Sequence, residues 1–429
     1  MLVYGALFLS LLIILLSICM KFLLLMNSKV NNNNDLYLMN IEDKDINNTD
    51  LSKDNIELNE YVITNGKVDL YKYENNEYLY SGYIGKNIIL HLNKVNKYYY
   101  LLKDLDGDYY VKKDNLLNYD YDVIVDDRYK KYIVFNYNVN TIDKTDFYDE
   151  NGYLVYSINE SMSLPIIIKD TYRYGVEYGN RLLYINAAEG DIVESKNTLE
   201  HNISGVATLN YHAFYASENA AEKSSCNTDI CHSDKQFRSQ LDYIKENNIL
   251  SLKMKEMEQY IDGKIQLPKS VLITIDDGGM TKIAVDMLTE YKMYATIFLI
   301  TSWFNPSDYY ITDYIELHSH SHNMHGTGIC PRGQGGGIQC LSEDKIQEDL
   351  KKSRELLNGT TYFCYPFYEY NDYSIEQLKK AGFTMAFAGE SSKSDNLAKV
   401  GMDKFRVPRF VIVTSTSIED LKNYFNKMK

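Results

Sequence analysis

Hydrophobic spacing divides the chain into four stretches. Residues 2–20 carry no charge, and after Lys21 the apolar run continues through Phe22-Leu23-Leu24-Leu25-Met26. A run of that length is enough to cross roughly 30 Å of hydrocarbon as a helix. No small-x-small cleavage site follows, so residues 1–27 are expected to be an uncleaved transmembrane signal-anchor. Residues 28–58 are dominated by Asn, Asp, Lys and Ser, the composition of a flexible linker.

From 59 to 198 the period shortens to two. Tyr61-Val62-Ile63-Thr64, Val68-Asp69-Leu70-Tyr71 and Asp108-Tyr109-Tyr110-Val111 are β-branched or aromatic runs separated by Asn, Gly and Asp turns. The order repeats: Leu70-Tyr71 and Tyr78-Leu79-Tyr80 are paralleled by Phe147-Tyr148 and Tyr153-Leu154-Val155-Tyr156. Two small all-β modules are expected, over 59–125 and 126–198. In pattern they resemble bacterial SH3-like wall-binding modules, with the tyrosines mainly filling small barrels.

From 199 to 429 strand and helix patterns alternate. The runs 270–275 and 295–300 read as buried strands, and 236–244, 283–291, 342–357 and 375–381 as helices. That alternation predicts a parallel α/β domain, open or closed into a barrel.

Length and charge then narrow the possibilities. A chain of 429 residues suggests two or three domains. With 45 basic against 59 acidic side chains its net charge is −14, which argues against a nucleic-acid partner. Cys226 and Cys231 bracket one polar loop, and Cys330 and Cys340 another rich in glycine. Neither pair has the two-residue spacing of structural zinc sites, so both are expected as disulfides in an oxidising compartment, with Cys364 a single buried thiol. Lys21 and Lys29 follow the apolar run and argue weakly for the opposite orientation. The disulfides prevail, and the expected location is the cell membrane, single-pass, with the body extracellular.

Two stretches carry candidate chemistry. Asp276-Asp277-Gly278 directly follows a predicted strand, and adjacent carboxylates there repel unless a cation or a raised pKa relieves them. A metal ligand beside a general base is one resolution; an ordinary Asp-Gly turn is the other. His318, His320, His322 and His325 account for four of the chain's 8 histidines. On a strand the first three share a face, while His325 needs a turn beyond it. Imidazoles with a carboxylate suit zinc or a similar divalent ion with an open position for water.

Residues from about 205 to 414 resemble the NodB-homology polysaccharide deacetylases of carbohydrate esterase family four. Thr274-Ile275-Asp276-Asp277-Gly278 is similar to their first motif, and His320-Ser321-His322-Asn323-Met324-His325 to the second. The five-residue histidine spacing is that of the branch acting on poly-N-acetylglucosamine. Tyr365-Pro366-Phe367-Tyr368-Glu369-Tyr370-Asn371 resembles that branch's third motif, with Phe367 and Tyr368 in place of Tyr and Gly. Tyr211-His212-Ala213-Phe214 and Arg406-Val407-Pro408-Arg409 resemble its opening and closing strands.

The resemblance implies a deformed (β/α) barrel. Asp277, His320 and His325 would hold a divalent metal, Zn2+ by preference, and Asp276 would be the general base. The Phe367 backbone N–H would help hold the oxyanion. Arg409 could supply the positive charge that many members place in the third motif. No histidine follows His325, so the late histidine that protonates the leaving amine is missing. His91, His201 and His232 are less well placed than His212, which ends the domain's first strand as it does in the resembling branch. The implied activity is hydrolysis of N-acetyl groups on N-acetylglucosamine polysaccharide, either peptidoglycan or poly-N-acetylglucosamine. Two other readings are a wall-anchored glycan-binding protein without turnover and a metal-dependent hydrolase of some other acetylated substrate.

Overall fold

A computed structural model of the chain describes residues 57–123, 126–195, 203–389 and 396–428. The apolar run 1–27 and nearly all of 28–58 lie outside them, and among the described residues no helix is long and apolar enough to cross a membrane. The described residues from Leu58 onward belong to one compact unit.

Its first half is antiparallel β. Strands Val68–Glu74 and Glu77–Ile84 form a hairpin whose turn residues, Asn75 and Asn76, have φ of 50° and 65°. Asparagine tolerates that left-handed conformation, and the turn matches the twist of its strands. The two repeated stretches do not close separately. Leu154–Ile158 pairs with Glu77–Ile84, placing Tyr156 opposite Ile84, so twelve strands follow one path. At that junction a Cβ on Gly82 would lie 2.0 Å from the Ser157 carbonyl oxygen, so only glycine fits. One core serves both stretches, with Val62, Leu70, Val111, Phe147, Tyr156 and Ile185 buried together. The tyrosines divide between faces. Tyr109, Tyr156 and Tyr178 are in the core, whereas Tyr71, Tyr78, Tyr99 and Tyr110 stack on one another outside it.

The second half is an eight-stranded sheet, and every pairing in it is parallel. Its order runs Met385–Phe387, Tyr362–Cys364, Ile315–Ser319, Ala295–Leu299, Ser270–Asp277, Ala207–Tyr211, Phe410–Val411, with Leu250–Ser251 also beside Ser270–Asp277. Ala207–Tyr211, Ala295–Leu299 and residues 270–276 are buried on both faces, which is why 271–275 reads as an apolar run broken only by Thr274 rather than as an alternation. Helices cover the outside. Asp234–Glu246 starts where Ser233 Oγ accepts the Gln236 N–H, and it buries Phe237, Gln240, Leu241 and Ile244 along one stripe. Each apolar member of that stripe contributes about 2 kcal/mol by leaving water. Val407 pairs with Phe387 at one sheet edge, and Phe410 pairs with Leu209 at the other. Residues 407–411 therefore span the gap left by the curled sheet.

The halves meet through a buried ion pair. Arg128 Nε and Nη2 donate to the two carboxylate oxygens of Glu256 at 2.7 and 2.6 Å, and Nη2 also donates to the Ser251 carbonyl at 2.6 Å. Tyr132 hydroxyl donates to the same Glu256, and the guanidinium lies 4.2 Å from the Tyr294 ring centroid. Ser251 pairs with Val271, near the start of strand Ser270–Asp277, and Tyr294 directly precedes strand Ala295–Leu299. The β half therefore docks away from the end to which those strands deliver their carboxyl termini.

Candidate active site

Parallel strands converge their C-terminal ends on one side of the sheet, and the candidate residues gather there. Ser270–Asp277 ends with Asp277 at φ 71° and Gly278 at φ 100°. A Cβ on Gly278 would come within 2.4 Å of Leu299 Cδ1, so glycine is needed for this sharp exit. The two carboxylates separate as a result: Asp276 is buried in the barrel at 1% exposure, and Asp277 is only partly covered.

Arg409 occupies the barrel interior beside Asp276. Its Nη1 and Nη2 donate to Asp276 Oδ1 and Oδ2 at 2.7 and 2.9 Å, and Nη1 reaches Thr274 Oγ1 at 3.1 Å. Nη2 also lies 2.9 Å from Cys364 Sγ. Burial works against the charge on Asp276, but the guanidinium outweighs it and holds the carboxyl well below its usual range. Two parallel N–H···O bonds fix the carboxylate plane as well as its charge.

The second motif leaves strand Ile315–Ser319 and turns back. Ser321 has φ 74°, and the Asp349 carboxylate accepts the His322 and Asn323 N–H groups at 2.7 and 2.6 Å. Met324 N–H donates to Ser321 Oγ at 3.1 Å. That tight turn gives the five-residue spacing its meaning, bringing the His325 ring within 5.2 Å of His320. His320 Nδ1 donates to the Cys364 carbonyl at 2.9 Å, which turns Nε2 towards Asp277. His320 Nε2 and His325 Nε2 lie 3.3 and 3.4 Å from Asp277 Oδ1. Burial pushes His325 down to about 4, so its ring is neutral at neutral pH.

These groups fit a divalent cation. One ligand atom from each of Asp277, His320 and His325 lies within 4.8 Å of the others, and Asp277 Oδ1 is buried without a hydrogen-bond donor. Two imidazole nitrogens and a carboxylate oxygen with space beside them are a zinc-type donor set. Asp276, His320 and Cys364 are equally close. In that group, however, Arg409 already covers both Asp276 oxygens and the sulfur, which leaves no place for a cation. His318 stands apart: its Nδ1 bonds Thr360 Oγ1 at 2.7 Å, and its ring packs against Tyr362.

The third motif forms the opposite wall. Phe367 and Tyr368 have φ of 54° and 61°, a conformation that costs a non-glycine residue about 1 kcal/mol or more. Side chains hold both in place. The Phe367 ring stacks on His325 at 4.2 Å; Tyr368 hydroxyl bonds Asn210 Oδ1, and its ring lies where a Cβ on Gly389 would be. Among the described residues, no backbone acceptor takes the Phe367 N–H.

His212 follows strand Ala207–Tyr211, half-buried, with its Nδ1 covered and unpaired. Burial lowers its pKa against the opposing pull of Asp276 and Asp277. The next residues, Ala213–Tyr215, pair with Cys231–Ser233 and so are tied to the Cys226–Cys231 disulfide. The second expected disulfide, Cys330–Cys340, is also present, and Cys364 is a buried thiol. His91 is stacked on Tyr61 in the β half, and His232 is buried against Tyr211 and Phe214. His201 lies outside the described residues. The sequence reading missed Trp303, whose half-exposed indole meets His325 edge-on at 5.3 Å, and also Asp349, Glu369 and Asn210. Glu369, inside the third motif, and Asn210, directly before the opening Tyr211-His212, carried a sequence cue.

Residues 264–386 match the family model described as polysaccharide deacetylase. The poly-beta-1,6-N-acetyl-D-glucosamine N-deacetylase of Staphylococcus epidermidis is 26% identical over 258 residues, covering 53% of this chain and 86% of that protein. The protein of that name from Staphylococcus aureus is 28% identical over 202 residues, covering 42% and 67%. A solved de-N-acetylase from Aggregatibacter actinomycetemcomitans aligns with a TM-score of 0.43 and 20% identity over 51% of this chain and 99% of its own. Residues 264–386, within the parallel-sheet half, thus form a polysaccharide deacetylase domain.

Proposed function

We propose that the chain is a metal-dependent N-deacetylase of an N-acetylglucosamine-containing surface polysaccharide, releasing acetate and leaving a free amine on the sugar. One observation carries this reading: Asp277, His320 and His325 converge on one point beside a buried carboxylate that Arg409 clamps. Poly-β-1,6-N-acetylglucosamine is the favoured polymer, because it is in the names of the relatives.

Asp277, His320 and His325 would hold the ion, with zinc suited to two imidazoles and a carboxylate. When bound, such an ion polarises the acetamide carbonyl and makes hydroxide available near neutral pH. Asp276 takes the proton of the attacking water, oriented for this by Arg409. The Phe367 N–H donates to the carbonyl oxygen as it gains charge. The C–N bond then breaks, and His212 delivers a proton to the departing nitrogen. In this reading residues 1–27 anchor the chain, residues 59–125 and 126–198 are two SH3-like repeats fused through one sheet and one core, and the body is extracellular, which two disulfides support.

The non-catalytic glycan-binding alternative drew its support from Phe367 and Tyr368. Both keep positive φ, and among the described residues no backbone acceptor takes the Phe367 N–H, which weighs against that alternative. The test is acetate release from poly-β-1,6-N-acetylglucosamine oligomers by purified protein supplied with Zn2+, with Asp276→Asn as control. Release by the parent and not the variant is expected. No release with any divalent metal would overturn the enzyme in favour of the binding protein.

A further inference from the structure

Glu369 makes contacts that the chemistry above does not use. Its carboxylate accepts the Gln334 N–H at 2.5 Å on Oε1, and the Gly335 and Gly336 N–H groups at 3.2 and 2.8 Å on Oε2. Gln339 Nε2 adds a fourth bond at 3.0 Å. Consecutive N–H groups around one anion form a nest, and this one belongs to the loop that Cys330–Cys340 closes. The loop has no room for larger residues here: a Cβ on Gly333 would lie 2.5 Å from Glu369 Oε1, and one on Gly336 2.9 Å from Glu369 Cβ.

The far side of the same loop touches the candidate metal ligands. Gly336 pairs with His325 in an antiparallel bridge, Gly326 N–H donates to the Gly335 carbonyl at 3.1 Å, and Gly337 N–H to the Met324 carbonyl at 2.9 Å. Gly335, at φ 142°, sits so close to Phe367 that a Cβ would meet its ring at 2.8 Å. The His325 imidazole is therefore held from two sides, by the Phe367 ring beneath and by a backbone ladder whose other rail Glu369 grips.

The geometry points to Glu369 as a positioning residue for His325: it fastens the Cys330–Cys340 loop and so sets the place of one metal ligand, in the site as read above. Glu369 is not one of the candidate ligands. Its effect passes through backbone it holds by charge-assisted bonds, which are the strong kind. Partners one layer behind a metal ligand commonly change metal affinity by 10- to 100-fold.

The test is Zn2+ affinity of the full-length, disulfide-intact, metal-depleted chain, measured by competition with a chromogenic chelator. Glu369→Gln keeps the side chain's size but presents an amide to N–H donors. It is expected to weaken Zn2+ binding about 10-fold or more, and to regain acetate release when Zn2+ is raised. In a His325→Ala background the same change is expected to add nothing. Gly335→Ala disturbs the contact from the loop side and should also weaken Zn2+, which keeps the test available if Glu369→Gln folds poorly. Zn2+ affinity within twofold of the parent in Glu369→Gln, beside a clear loss in His325→Ala, would overturn the role of Glu369 alone. A further tenfold loss in the His325→Ala background would also overturn it, by locating its effect elsewhere. Unchanged Zn2+ binding in His325→Ala would instead overturn the ligand set and this inference together.

Discussion

Asp276 and Arg409 are both inside the barrel, and neither is tolerable there without the other. Removing one partner of a buried pair typically costs about 3–5 kcal/mol, because the remaining charge stays out of water. Arg409→Met is therefore expected to lower the unfolding free energy by about that amount, and adding Asp276→Asn should restore much of it. Denaturant melts of the two single variants and the double variant check this; equal losses that simply add would contradict the pairing. Around the candidate ion, Asp277→Ala and His320→Ala should lose bound metal and activity together. His318→Ala should keep stoichiometric metal, since its ring is committed to Thr360 and Tyr362. Elemental analysis showing the reverse pattern would refute the ligand choice. His212→Ala should keep both metal and fold while kcat falls about 10² to 10⁴-fold, the range for a general acid. Activity within a few-fold of the parent would remove His212 from the reaction.

At the scale of elements, the walls of the site are short segments tied down from behind. Ala213–Tyr215, which follows His212, pairs with the strand that begins at Cys231, and His232 in that strand is buried against Tyr211 and Phe214. Burial pushes His232 down to about 4, against an ordinary value of 6.5. The unfolded chain therefore binds a proton at a pH where the folded chain does not, and stability must fall as pH drops from about 6.5 towards 4. The share from His232 at pH 4.5 is roughly 2–3 kcal/mol. His232→Leu should flatten that part of the acid dependence, read as urea midpoints at pH 7 and 4.5. An unchanged slope would mean the ring is not neutral in the fold.

This is also the scale at which the sequence stopped being legible. The Asp-Asp pair and the two histidines were readable because divalent-metal chemistry needs those residue types, and the strands at 270–275 and 295–300 because they are mostly apolar. The joining of the two repeated β stretches was not readable, because it depends on backbone approach at Gly82 and on strand pairing across more than seventy residues. The grip of Asp349 on the His322 turn was equally hidden: nothing in a surface-helix pattern distinguishes a carboxylate that caps a distant loop from one that faces water. The tyrosine runs told strand from helix, but could not say which faces look outward.

For the whole molecule, the docking of the β half and the chemistry occupy different ends of the parallel sheet. Stability and turnover should therefore separate. Glu256→Ala leaves Arg128 buried and unpaired and is expected to cost about 3–5 kcal/mol. It should lower Tm while leaving kcat near the parent value at temperatures where the protein is folded. A kcat that falls in step with stability would mean that the interface reaches the site. The segment 407–411 has an effect on assembly as well as on architecture. It is the stave that closes the curled sheet, and it carries Arg409, 133 residues after the carboxylate it neutralises. A growing chain exposes Asp276 long before its counter-charge has been made, so an early, fully packed barrel would have to bury a bare anion. Charge alone thus delays final packing until the closing stave arrives, and a nascent chain that reaches only the first two motifs has the candidate ligands without a fold able to hold them.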